Sequence, residues 1–251
     1  MATVLALDFD GVICDSVDEC LITACNAWNS LQGGSDWITT LDEVESHVAQ
    51  RFRQHRYLAR NAPDFWPILH WALSGDTILD ESELASFRLE YAGIIKRFEP
   101  TFFEARDRYR SKDPEPWMAL NRFYPEFQDG WNQLKGKYPT HIITTKDLRS
   151  IQHFNQQWKL GIPPEHLWTN EQRLSKAAIA QRIIDDSGIP PEELFFVDDH
   201  PHHLQDVATT GARCFWASWG YLGASGLSLP EPSSAVSLTR LTDLLPYLSP
   251  A

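Results

Sequence analysis

With 251 residues, 43% of them hydrophobic and 22% charged, the chain has an ordinary globular composition and enough length to bury a sizeable core. A formal net charge of −12 argues against a nucleic-acid polymer as partner, because such binders need a basic surface to displace counterions. No run approaches the roughly 18 apolar residues that a bilayer span requires, so no membrane association is expected.

The chain opens on an apolar stretch, Val4-Leu5-Ala6-Leu7, with no basic segment before it and Asp8 directly after it. It reads as a buried strand and not as a signal peptide. The four cysteines, Cys14, Cys20, Cys25 and Cys214, form no CxxC pair. With no export signal, reduced thiols and a cytoplasmic location are expected. From Ser16 to Pro125 there are helical patterns but no strand-like runs, punctuated by Gly33-Gly34, Pro63, Gly75, Pro100, Pro114 and Pro116. Within them Arg53, Arg56 and Arg60 recur at helical spacing and read as a solvated face.

From about Phe127 the pattern changes. Apolar runs at His141–Thr144, Leu194–Val197 and Arg213–Ala217, with a weaker one at His166–Thr169, predict buried parallel strands. Asp147 is placed to cap a helix that Gly161 stops, and Ser175 to cap another that ends at Gly188. The Ser, Gly and Pro-rich segment 223–237 predicts a surface loop before a last short helix around 238–248. The whole is the grammar of an α/β fold: a doubly wound, Rossmann-like parallel sheet core (1–15 and 126–251), with a helical domain (16–125) inserted after the first strand.

Polar groups gather where the predicted strands end, which is where open α/β sheets place their ligands. Asp8 and Asp10 follow the first strand, and two like charges this close are costly to bury without a cation. A hard divalent ion such as Mg²⁺ resolves that cost. Gly11 lets the backbone turn sharply and approach a bound anion. Thr144 and Thr145 place hydroxyl donors at the end of a second strand. Lys176 sits at a helix N-terminus, an unfavourable place for a cation unless something negative is nearby. Asp198 and Asp199 end a further strand. His200, His202 and His203 follow them, but their spacing is not that of a zinc site.

The order Asp8-Phe9-Asp10-Gly11-Val12, Ile143-Thr144-Thr145-Lys146, Lys176 and Val197-Asp198-Asp199 resembles the haloacid dehalogenase-like hydrolases, in particular the phosphoglycolate phosphatase and β-phosphoglucomutase branch. The resemblance covers both ends of the chain. It implies a Mg²⁺-dependent phosphatase acting on a small phosphorylated metabolite as a monomer or homodimer, with the inserted helices as a cap. By the same resemblance Asp8 is the nucleophile, forming an aspartyl phosphate, and Asp10 the acid and base. Thr144 and Lys176 would bind phosphate, the motif favouring Thr144 over Thr145, and Gly11 would bring its backbone to the same anion. Asp8, Asp10 and Asp199 would hold the metal, with Asp198 beside them or water-bridged. His203 stands where many relatives carry another acid. A phosphomutase shares these motifs, and a silent binding protein on the same fold is a further alternative. A dehalogenase is disfavoured by Asp10, and a phosphoacceptor receiver domain by the order of the motifs.

Overall fold

The structure is a computed structural model that describes residues 3–75, 79–224 and 233–248. The chain divides into two compact units, one of residues 1–15 and 123–251, the other of 16–122. Among the described residues no helix is long and apolar enough to cross a membrane.

The first unit is built on six parallel strands: β1 Val4–Leu7, β2 Thr140–Ile143, β3 Leu167–Trp168, β4 Leu194–Asp198, β5 Arg213–Ala217 and β6 Val236–Leu238. Their order in the sheet is β3-β2-β1-β4-β5-β6. Every residue of β1 is buried, as expected for a parallel strand covered on both faces. Leu7 lies opposite Ile142 of β2 on one side and Val197 of β4 on the other. The strand order therefore reverses between β1 and β4, and the groups that follow both strands share that crevice.

Local signals set the helices that flank the site. The Asp147 carboxylate accepts from the Ser150 amide at 2.9 Å and starts the helix Leu148–Gln157. Ser175 accepts from the Ala178 amide at 3.1 Å and starts Lys176–Ser187, which ends at Gly188 in a left-handed conformation (φ 62°). Phe9 is wholly buried, its ring 5.1 Å from that of Phe154 and 6.0 Å from that of Trp158. This aromatic contact anchors the backbone between Asp8 and Asp10.

Within this unit the structure departs from the expectations at three places. Residues 123–125 belong with the sheet unit, because the Tyr124 amide donates to the Ile13 carbonyl (3.0 Å) and Pro125 opens the helix Pro125–Leu134. The end of the expected surface loop forms β6, beside β5, with Leu238 buried and its carbonyl accepting from the Ser218 amide at 3.0 Å. Residues 225–232 of that loop lie outside the described residues. The last helix is a 3₁₀ segment, Leu241–Tyr247, containing Pro246.

The second unit consists of the helices Val17–Leu31, Ser46–His55, Phe65–Ser74, Glu81–Glu90, Ala92–Lys112 and Pro114–Ala119, with short 3₁₀ turns among them. The helix Ala92–Lys112 runs through Pro100 although proline removes a backbone donor, and the fully buried rings of Phe98 and Phe102 flank the lesion. The three arginines that suggested a solvated face are engaged with the protein. Arg53 pairs with the buried Asp18 (2.6 Å), Arg56 is buried over the Phe65 ring, and Arg60 reaches Glu81 (3.4 Å).

At the centre of this unit Glu19, with no exposed surface, receives both arms of Arg106, Nε to Oε1 at 2.8 Å and Nη2 to Oε2 at 2.9 Å. Thr23 (2.8 Å) and Trp117 Nε1 (3.3 Å) also donate to Oε1. Removing one partner of such a pair leaves an uncompensated buried charge. Arg106→Met should cost about 3–5 kcal/mol in denaturant unfolding. Adding Glu19→Gln should restore part of that loss, since a neutral amide oxygen still accepts from Thr23 and Trp117. A single variant as stable as the parent would show that the pair does not hold this unit together.

Candidate active site

The site is assembled at the carboxyl ends of β1, β2 and β4. Asp8 follows β1, and its amide extends the sheet by donating to the Val197 carbonyl at 2.9 Å. One carboxylate oxygen, Oδ1, accepts from the adjacent Phe9 amide (2.7 Å), and the other, Oδ2, lies 2.7 Å from Lys176 Nζ. Lys176 is the first residue of its helix, and the same ammonium donates to Asp198 Oδ2 at 2.8 Å. Asp198 ends β4, and its Oδ1 accepts from the His200 amide at 2.8 Å. Asp8, Lys176 and Asp198 are all buried. The negative charge implied by placing Lys176 at a helix N-terminus is thus supplied by two aspartates, one from each end of the sequence.

The charges of these groups are unequally supported. Burial pushes the Asp8 carboxyl up to about 6, with Lys176 opposing that rise and Asp198 adding to it. Burial works against Asp198 as well, yet Lys176 and His203 beside it hold its carboxyl well below the usual range. For Lys176, burial is outweighed by the Asp198 and Asp8 carboxylates, which raise the ammonium above its ordinary value.

A second ion pair lies next to the first. Asp10 Oδ1 is 3.2 Å from the Nζ of Lys146, whose side chain is fully buried, whereas Asp10 keeps 14% of its side chain exposed. Thr144 is buried just beyond β2, its amide bonded to the Trp168 carbonyl (2.9 Å) and its Oγ1 accepting from the Lys146 amide (3.2 Å). Thr145 is half-buried beside it.

Asp199 takes a different place from its neighbour. Its Oδ2 accepts from the Tyr221 amide at 2.9 Å, and its carbonyl accepts from Trp216 Nε1 at 3.1 Å. The carboxylate lies against Gly11, where an added Cβ would stand 2.3–2.4 Å from its atoms, and against Gly220, where a Cβ would meet the Asp199 Cβ at 2.3 Å. The following loop closes over the same turn through Trp219 Nε1 to the Val12 carbonyl (3.0 Å) and Tyr221 OH to the Cys14 carbonyl (3.4 Å). Gly11 itself, expected to bring its backbone to an anion, has its amide committed to the Cys14 carbonyl at 2.9 Å. What it contributes is room for Asp199.

Of the expected site residues, the structure joins Asp8, Lys176 and Asp198 directly and seats Asp199 on Gly11. Asp10, Thr144 and Thr145 follow β1 and β2. Lys146 and His203 were seen in the sequence but given no role. Lys146 had a signal, as a lysine directly after two hydroxyls at a strand end. The position of His203, where relatives carry an acid, was visible too. The clamp made by Trp219, Gly220 and Tyr221 had none.

Among the described residues, Asp8, Asp198 and His203 offer potential ligand atoms that all lie within 4.8 Å of one another. The expected metal ligands Asp10 and Asp199 lie outside that set. Four carboxylates (Asp8, Asp10, Asp198, Asp199) meet two ammonium groups (Lys146, Lys176), and the Asp8 carboxyl is raised by burial that those cations do not offset. The donor set and its uncompensated negative charge fit a divalent cation.

Gly11 (φ 89°) and Gly136 (φ 75°) share a left-handed backbone, but nothing lies within 4 Å of a Cβ at Gly136. Gly136→Ala should therefore show the backbone cost alone, about 1–2 kcal/mol. Gly11→Ala should cost clearly more in the same melting experiment, because Asp199 must also move. Equal losses would mean that the Asp199 seat is not tight.

No family model matches the sequence, and no curated protein matches it. Solved structures do. A predicted phosphoglycolate phosphatase from Haemophilus somnus is similar over 98% of this chain and 97% of its own, with a TM-score of 0.62 at 14% identity. A subfamily IA hydrolase of the haloacid dehalogenase superfamily from Geobacter sulfurreducens matches over 99% and 97%, with a TM-score of 0.55 at 16% identity. A haloacid dehalogenase-like hydrolase from Streptococcus pneumoniae matches over 98% of each chain, with a TM-score of 0.54 at 15% identity. The switch-point sheet order and these full-length likenesses agree: the chain has the fold of the haloacid dehalogenase-like hydrolases.

Proposed function

We propose that the chain is a phosphatase that hydrolyses a small-molecule phosphomonoester, with Asp8 as nucleophile and a divalent cation such as Mg²⁺ as cofactor. The observation that carries this reading is the buried contact of Asp8 and Asp198 with one ammonium, Lys176, at the switch point of the sheet. Fold alone does not assign an activity. The reading rests on which side chains meet there, and the similar structures, described as a hydrolase and a predicted phosphoglycolate phosphatase, agree with it.

An Asp8 carboxylate oxygen forms a bond to phosphorus as the bond to the ester oxygen breaks, and Asp10 gives that leaving oxygen a proton. Water then adds to phosphorus while Asp10 takes its proton, the bond to Asp8 breaks, and inorganic phosphate leaves. Lys146 Nζ, 3.2 Å from Asp10 Oδ1, orients that carboxylate. Thr144, Thr145 and Lys176 supply donors for the phosphoryl oxygens, fixed before the charge develops. Asp8 and Asp198 would hold the cation, with Asp10 and Asp199 close by, and when bound it neutralises charge on the transferring group.

With 4-nitrophenyl phosphate as substrate, we expect phosphate release that EDTA removes and added Mg²⁺ restores. Asp8→Asn should fall to background. Asp10→Asn should retain metal binding while turnover drops on the order of 10²-fold or more. Hydrolysis by Asp8→Asn at the parental rate would overturn the nucleophile assignment. A lack of activity on every member of a panel of phosphomonoesters, with each divalent ion tried, would overturn the phosphatase reading.

A further inference from the structure

Proposed above only as a divalent-ion site, the cluster at Asp8 has a member that an all-oxygen magnesium site would not need. His203, in the first turn of the helix Pro201–Ala208, directs Nδ1 to within 3.3 Å of Asp198 Oδ2. That nitrogen is buried and makes no hydrogen bond. If the proton is on Nε2, two acceptors face each other across this gap, an arrangement that is unfavourable unless a cation lies between them. If the proton is on Nδ1, the contact attracts Asp198 electrostatically but does not have hydrogen-bond geometry, so the nitrogen lacks a proper partner in either form. Adjacent ligands on an octahedral ion with bonds of about 2.1 Å stand about 3 Å apart, close to the separation observed.

We propose that His203 is a nitrogen ligand to the divalent cation bound by Asp8 and Asp198, and that it makes the site select first-row transition ions, Mn²⁺ among them, over Mg²⁺. Carboxylate, carbonyl and water oxygens suit Mg²⁺, whereas imidazole suits the ions further along the transition series. A single imidazole in a set of carboxylates keeps the site open to Mg²⁺ but tilts the balance. Mn²⁺ favours oxygen donors as Mg²⁺ does and stands lowest of the transition ions in affinity, so it is the most stringent member of the series on which to test the preference. The His200 ring lies 4.8 Å from that of His203 and 5.5 Å from that of His202, and among the described residues neither His200 nor His202 belongs to the group of converging ligand atoms.

The proposal rests on the metal part of the reading above and not on hydrolysis. Its test reads the metal itself. Metal-stripped full-length protein is titrated with Mn²⁺, following the unbound ion by electron paramagnetic resonance, and Mg²⁺ is then used as competitor. We expect Mn²⁺ to bind at least 10-fold more tightly than Mg²⁺. Electron spin-echo modulation of bound Mn²⁺ should show a coupled ¹⁴N nucleus, replaced by a ¹⁵N coupling when only the histidines carry ¹⁵N. That experiment needs no substitution, so it stands even if a variant misfolds. His203→Asp should abolish the nitrogen coupling and narrow the Mn²⁺ preference by about 10-fold. Bound Mn²⁺ with no histidine nitrogen, or a coupling that survives in His203→Asp, overturns the proposal and leaves the phosphatase reading standing. Failure of any divalent ion to bind overturns both the proposal and the cofactor assignment.

Discussion

One ammonium group held between two buried carboxylates fixes the arrangement of everything else at the strand ends. Lys176 Nζ lies 2.7 Å from Asp8 and 2.8 Å from Asp198, and all three residues are buried. Charges in such a place are tolerable only when paired and hydrogen-bonded, because desolvation of each ion costs several kcal/mol. The geometry therefore has little slack. Asp8 must leave β1 and Asp198 must end β4 for their oxygens to meet one nitrogen, which is what neighbouring parallel strands in register provide. A lysine at the start of a helix completes the contact, and the helix-end penalty on its charge is offset by the two acids.

Adjacent acids at the end of β4 serve two faces of the same crevice. Asp198 is the last residue of β4 and Asp199 lies in the bend after it, and the two carboxylates meet different partners. Asp198 turns to Lys176 and His203. Asp199 turns to Gly11, Gly220 and the Tyr221 amide. The second acid thereby ties the loop after β5 to the turn after β1, and both glycines are needed because the carboxylate occupies the space where their side chains would be. Two neighbouring carboxylates look redundant in sequence, yet in the structure each has a separate set of contacts.

How much of this was legible follows from what kind of interaction sets each feature. β1 and β5 were readable to the residue, since runs such as Val4–Leu7 owe their burial to their own side chains. The caps at Asp147 and Ser175 were readable because a cap is a local hydrogen bond. β6 was not: three residues, Val236-Ser237-Leu238, become a strand through their partner and carry no periodicity long enough to see. Pro100 misled for the opposite reason, as its local penalty is overridden by the burial of Phe98 and Phe102. At the site, residue types at strand ends pointed to Asp8, Asp10, Thr144, Lys176, Asp198 and Asp199, but not to the division of tasks between the last two. That division depends on side-chain direction and on Gly220, which is remote in sequence from either motif.

The balance of charge gives the cation its importance under the proposed function. The chain carries a net charge of −12, so a phosphate dianion gains nothing from the overall field. Lys146 and Lys176 lie where such a group would bind, but each is already paired with an aspartate. Four carboxylates against two ammonium groups leave the strand ends with a formal charge of −2, which repels the substrate it is meant to hold. One divalent ion brings that sum to zero, and protonation of Asp8, whose carboxyl is pushed up to about 6 by burial, would relieve the same excess at the expense of the nucleophile. Binding a metal relieves the excess without using the Asp8 carboxylate as a proton acceptor. The same buried acids that make the site unfavourable for an anion on their own make it suitable once a cation is in place.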